Sequence, residues 1–153
     1  MKILDCLKEE WVIPDLQGTD KRSVLKELSG LVVQPCQASS PEELLQVLLE
    51  RERLGSTGIG QKIAIPHGRL KTLDHFVIAF GRSKKGVDFD SIDRTPSQLF
   101  FLVMAPENSA VENLKLLSRI VTLLKDGGFK KRLLEAQTQK ELFQVISEED
   151  EKY

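Results

Sequence analysis

Leu54-Gly55-Ser56-Thr57-Gly58-Ile59-Gly60-Gln61-Lys62-Ile63-Ala64-Ile65-Pro66-His67-Gly68-Arg69 is the stretch from which the rest of the chain can be read. A glycine-rich loop leads into a short apolar run, Lys62 to Pro66, which is too short for a typical helix and reads as a buried strand. Pro66 fixes its own φ and pushes Ile65 towards extended backbone, so His67 is expected where a strand ends. Gly68 leaves the imidazole uncrowded. A strand end beside a glycine loop is a frequent location for chemistry.

Downstream, Phe76-Val77-Ile78-Ala79-Phe80 and Leu99-Phe100-Phe101-Leu102-Val103 barely alternate, as strands buried on both faces do. Val87-Asp88-Phe89-Asp90 alternates like a weaker or edge strand. Upstream, Trp11 to Leu16 is a short extended piece that Pro14 demotes to an edge position or a non-strand, preceded by a short helix over Ile3 to Lys8. Helices are expected over about Lys21 to Val33, capped by Thr19 or Asp20, and from a capping box at Ser40-Pro41-Glu42-Glu43 to a stop at Gly55. A second capping box, Ser109 to Glu112, opens a helix to about Lys125, with Leu114, Leu117, Ile120, Val121 and Leu124 expected inward. Asp126-Gly127-Gly128 ends it. Two more helices cover about Phe129 to Ala136 and, from a cap at Thr138, the segment to Ile146; the acidic tail, Glu148 to Tyr153, is expected to fray. Helices on both sides of doubly buried strands imply a three-layer α/β/α sandwich. No helix lies between the Phe76 and Leu99 strands, so the sheet of about five strands should be mixed.

The 153 residues suffice for one domain with a substantial core, expected to span 1–153. With 22 basic and 23 acidic residues the net charge is −1, so no overall field draws nucleic acid or an anionic membrane. No run approaches the roughly 20 apolar residues that cross a bilayer, and no signal-peptide architecture opens the chain. Cys6 and Cys36 have no C-x-x-C spacing and read as reduced thiols, which points to the cytoplasm.

With His67 and His75 the only histidines, no metal-binding pattern is present, and neither a P-loop nor a G-x-S-x-G elbow occurs. No cofactor is expected. Ser56, Thr57, Gly58 and Gly60 resemble a loop whose amides cradle an anion, a weak signal by itself. A neutral imidazole is a nucleophile near pH 7, and phosphoryl transfer needs little beyond a positioned attacking atom and nearby positive charge. Arg51, Arg53 and Arg69 are the candidate cations; His75 reads as an ordinary loop residue.

Arg51 to Gly60 followed by Ile63-Ala64-Ile65-Pro66-His67-Gly68 closely resembles the IIA domain of the fructose/mannitol type in the bacterial phosphoenolpyruvate:sugar phosphotransferase system. Gly-Ser-Thr-Gly-Ile-Gly and the stand-alone length are most similar to its nitrogen-related members. The resemblance runs nearly to Leu142. It implies that His67 is the phosphorylation site, as a tele-phosphohistidine, loaded by a histidine carrier of the HPr or NPr kind. It further implies that Arg51 assists, and that the phosphoryl group passes to a IIB cysteine in sugar-transporting members. In nitrogen-related members phosphorylation instead switches docking to target proteins.

Two positions depart from the family pattern. Gln61-Lys62 stands where Asn-Gly is usual. Asn113 stands where a second active-site histidine normally precedes Leu-Lys-Leu-Leu-[Ser/Ala]-Arg. Asparagine still donates a hydrogen bond but never carries imidazolium charge, a loss of about 1–3 kcal/mol that slows transfer without abolishing it. The leading expectation is a phosphocarrier with a regulatory role, the alternative a sugar-specific IIA component. A hydrolase using His67 as general base is set aside, because no serine or cysteine nucleophile shares a motif with it.

Overall fold

Two runs of unbroken hydrophobicity make the centre of the sheet. In the computed structural model, which describes residues 1–153, β5 (Val77–Val87) and β6 (Ser97–Pro106) are antiparallel neighbours, with Phe80 opposite Phe101 and their rings edge-on at 4.8 Å. Alternate residues feed two cores. Ile78, Phe80, Leu99, Phe101 and Val103 face one side, where α3 (Ala110–Leu124), α4 (Gly127–Glu135) and α5 (Gln139–Lys152) pack. Val77, Ala79, Phe100, Leu102 and Met104 face α1 (Lys21–Leu31) and α2 (Pro41–Arg53) on the other. The result is the expected three-layer sandwich.

The sheet is mixed, as expected, but has six strands in place of about five. β1 (Val12–Ile13) lies parallel to β5 at one edge, in keeping with Pro14. On the other side of β6 lie β3 (Ile63–Ala64) and β4 (His67–Leu70), both parallel to it, and β2 (Gly58–Gly60) pairs antiparallel with β3. β3 and β4 form one line beside β6: Ile63 pairs with Leu99 and His67 with Val103, with no change of register. Ile65 and Pro66 break it. The Ile65 N–H donates to the Thr57 carbonyl at 3.0 Å, while the Pro66 carbonyl accepts from Val103 N–H at 2.9 Å. His67 therefore starts a strand where a strand end was expected. The separate strand expected at Val87–Asp90 does not form; Val87 closes β5 after a register shift, with Gly86 at φ +81°.

The β2–β3 turn explains one departure from the family pattern. Gln61 and Lys62 both have positive φ (54° and 71°), the geometry of a type I′ hairpin that Asn-Gly adopts readily and L side chains resist. Neighbours hold it there. Asp93 accepts from Gln61 N–H at 2.8 Å, Lys130 donates to the Gln61 carbonyl at 3.2 Å, and the Lys62 carbonyl accepts from Gln98 and Leu99 at 2.8 and 3.0 Å. The Thr95 hydroxyl and the Gln61 and Thr95 amides hold the Asp93 carboxyl at about 2. Gln61→Asn with Lys62→Gly is expected to raise stability by about 1 kcal/mol, read as a higher urea midpoint. A lowered midpoint would show that the side chains contribute more than the strain costs.

Five helix expectations need correction. In α3 the buried face is Asn113, Leu116, Ile120, Leu123 and Leu124, whereas Leu114 is 66% exposed; both phases carry leucines at helical spacing, and a polar Asn113 concealed the true one. Ser109 does not close a capping box: its hydroxyl donates to the Pro106 carbonyl at 2.6 Å. At α2 the Ser40 hydroxyl accepts from Glu43 N–H, but Glu43 reaches back to Ser39, one residue earlier than a capping box requires. The acidic tail does not fray, since α5 runs to Lys152 with Glu149 and Asp150 buried. Asp150 accepts from Ile3 and Leu4 N–H at 3.1 and 3.0 Å and pairs with Arg119 at 2.8 Å, anchoring the N-terminal turn. That turn is a single 3-10 turn, Ile3–Asp5, in place of the helix expected to Lys8.

Candidate functional site

His67 opens β4 beside the last turn of α2, half-buried. Its Nδ1 lies 2.9 Å from the Ile65 carbonyl. A carbonyl only accepts, so Nδ1 carries the proton and Nε2 keeps a lone pair. Arg51 donates to Nε2 from its Nε at 3.2 Å and to the Gly55 carbonyl from Nη1 at 2.9 Å. Burial pushes the His67 pKa below the ordinary imidazole value; the Ile65 bond opposes this, the charges of Arg51 and Arg69 reinforce it, and Glu52 offsets them in part. The ring is neutral near pH 7.

Gly68 makes this contact possible. A Cβ there would stand 2.7 Å from Val47 Cγ1, so only glycine lets α2 lie this close to β4. Glu52, beside Arg51, fixes the loop that follows. It accepts from Thr57 N–H at 3.1 Å, from the Thr57 hydroxyl, and from Lys21 Nζ at 2.8 Å. Because Arg51 leans on Gly55 in that loop, Glu52 and Lys21 hold the guanidinium in place at one remove. Sequence reasoning missed both; the one signal available was the position of Glu52, buried in chemistry between Arg51 and Arg53.

Not all expected site residues converge. His67, Arg51 and Asn113 share one open pocket of about 420 Å³ with Glu50, Leu54 and Arg69. Asn113, on the first turn of α3, is 6% exposed, and its Oδ1 is buried without a hydrogen-bond partner. Arg53 and the expected cradle are not among the lining residues. Thr57 N–H is taken by Glu52, Gly58 N–H by the Ser56 hydroxyl at 3.0 Å, and Ser56 itself donates to the Phe89 carbonyl. Gly58 and Gly60 serve the fold. A Cβ on Gly58 would stand 2.7 Å from Ser91 Oγ, and Gly60 has φ +88°. The Thr57 and Gly58 amides, two of those that sequence assigned to an anion, are occupied by protein oxygens. No three His, Cys, Asp or Glu side chains gather as metal ligands, and no helix is long and apolar enough to cross a membrane.

Residues 5–149 match the family described as "Phosphoenolpyruvate-dependent sugar phosphotransferase system, EIIA 2". The chain belongs to this family. Among EIIA 2 relatives, it is 34% identical over 147 residues to a nitrogen regulatory protein of Bradyrhizobium diazoefficiens, covering 96% of this chain and 95% of that one. It is also 34% identical over 150 residues to the fructose-specific EIIABC component of Bacillus subtilis, covering 98% of this chain and 24% of that protein. The crystal structure of nitrogen regulatory protein IIA-Ntr from Neisseria meningitidis superposes with a TM-score of 0.87 at 29% identity, covering 93% of this chain and 97% of that one.

Proposed function

We propose that this EIIA 2 protein is a phosphoryl carrier whose His67 Nε2 accepts a phosphoryl group from a phosphohistidine of an HPr- or NPr-type protein. The observation that supports this best is the 2.9 Å contact of Nδ1 with the Ile65 carbonyl, which assigns the ring proton to Nδ1 and leaves the Nε2 lone pair facing the Arg51 guanidinium. In the step, the Nε2 lone pair attacks phosphorus as the donor's N–P bond breaks, and the bonding pair returns to the donor ring nitrogen. No proton moves: the donor ring leaves neutral with its remaining N–H, and the His67 ring becomes a phosphoimidazolium that keeps Nδ1–H on the Ile65 carbonyl. Arg51 Nε–H loses its nitrogen acceptor and gains a phosphoryl oxygen, a charge-assisted bond. Leu54, just after the last α2 turn that carries Arg51, and Val111 and Leu114, on the first turns of α3 beside Asn113, are 84%, 62% and 66% exposed and offer a partner an apolar surface near the nucleophile.

A regulatory role is the better-supported reading, since the likeness to the Bradyrhizobium nitrogen regulatory protein spans 95% of that protein. Phosphorylation would then decide which target docks on this face. The fructose-specific relative supports the second reading, transfer onward to a IIB cysteine. Pull-down with the two forms separates them: a partner that prefers one form supports the switch, and equal binding contradicts it.

Incubation with phosphoenolpyruvate, enzyme I and a histidine carrier is expected to add one acid-labile phosphoryl group to the parent and none to His67→Ala. Equal labelling of His67→Ala would end the proposal. Because the neutral ring is the nucleophile and its pKa is lowered, activity should hold as pH falls through about 6.5 and decline only at lower pH, where Nε2 protonates. NMR titration of the ring checks this; a midpoint at or above about 6.5 contradicts it.

A further inference from the structure

Two of the residues that line the pocket carry polar groups without a protein partner. Asn113 Oδ1 is buried and unpartnered. Arg69 lines the same pocket, is exposed, and takes part in none of the chain's ion pairs. It stands two residues after His67 in β4, so strand alternation puts both side chains on one side of the strand. Its charge reaches the imidazole. A phosphoryl group brings a charge of about −2. Arg51 supplies one positive charge, and Asn113 supplies none.

Resting on the carrier reading above, we infer that Arg69 is a further catalytic residue, the second cation on the phosphoryl group of His67, and that Asn113 Oδ1 accepts from its guanidinium and holds it there. The pair replaces an imidazolium with a guanidinium. The two differ in one measurable respect: imidazolium loses its charge near neutral pH, whereas guanidinium keeps it throughout.

Phosphoryl acceptance by Arg69→Gln is expected to fall about 10- to 100-fold, the loss of one charge-assisted bond in the transition state, with Arg69→Lys recovering part of it. Asn113→His should rescue Arg69→Gln, and the rescued rate should fall as pH rises through the range where the new imidazole deprotonates, a limb that the parent lacks. The same loss from Arg69→Gln in the Asn113→His background as in the parent would overturn the inference. In the parent itself, the guanidinium ¹⁵N signals of Arg69 should shift when His67 is phosphorylated; unchanged signals overturn it whether or not the variants fold. Normal labelling of the parent with an unimpaired Arg69→Gln sinks this inference alone. No labelling of the parent sinks the carrier reading and this one together.

Discussion

Arg82→Ala is expected to lower folding stability by about 3–5 kcal/mol, the largest effect of any single substitution outside the site. Arg82 is 1% exposed in the middle of β5. Its Nε donates to the Pro14 carbonyl at 3.1 Å, and its Nη1 to the carbonyls of Leu133, at 3.0 Å, and Ala136. The last two close α4, where the helix dipole is negative and favours a cation. One side chain thus ties the β1 edge and the end of α4 to the central strand pair. Burial pushes the guanidinium pKa down, with Asp15 and Glu141 opposing, yet no carboxylate pairs with it directly. Alanine would leave a cavity and deprive three carbonyls of their donor. For a protein stable by roughly 5–15 kcal/mol, that is a large share. Lysine presents a compact ammonium that cannot span the same carbonyls, so Arg82→Lys should fall between. Urea unfolding measures both; a loss below about 1 kcal/mol for alanine would mean that the carbonyls find water or relax.

Arg51→Ala should reduce phosphoryl acceptance by about 10²- to 10³-fold while leaving the fold intact. The guanidinium sits in the last turn of α2 and leans on the Gly55 carbonyl, so its geometry is set before any phosphoryl group arrives. A charge so placed stabilises the transferring group without reorganisation. It also lowers the His67 pKa, so the variant's ring should titrate at higher pH than the parent's. Arg51→Lys keeps charge but loses the fork and should recover part of the rate. Initial rates of acceptance from a phosphorylated carrier decide it. A change within about threefold would place the needed charge elsewhere.

The central pair of strands was legible because burial on both faces leaves an unbroken apolar run. Pro66 did mark an interruption of the extended backbone beside His67, although His67 begins a strand there instead of ending one. β4 was not legible: His67-Gly68-Arg69-Leu70 has little strand preference of its own and is extended because β6 pairs with it. The phase of α3 was hidden for a related reason, since Asn113 turns inward to the pocket and carries Leu114 out to solvent. The end of α5 depended on Asp150 meeting Ile3, Leu4 and Arg119, contacts between chain segments far apart in sequence. The glycine loop misled most. Its glycines looked suited to an anion, but Gly58 makes room for Ser91, and the Thr57 and Gly58 amides serve Glu52 and Ser56.

The most direct measurement is the nitrogen that carries phosphorus. In ¹H–¹⁵N and ³¹P spectra of the phosphorylated, ring-labelled protein, phosphorus should be coupled to Nε2 of His67, with the Nδ1 proton still present on the Ile65 carbonyl. Phosphorus on Nδ1, or on any residue other than His67, would contradict the account.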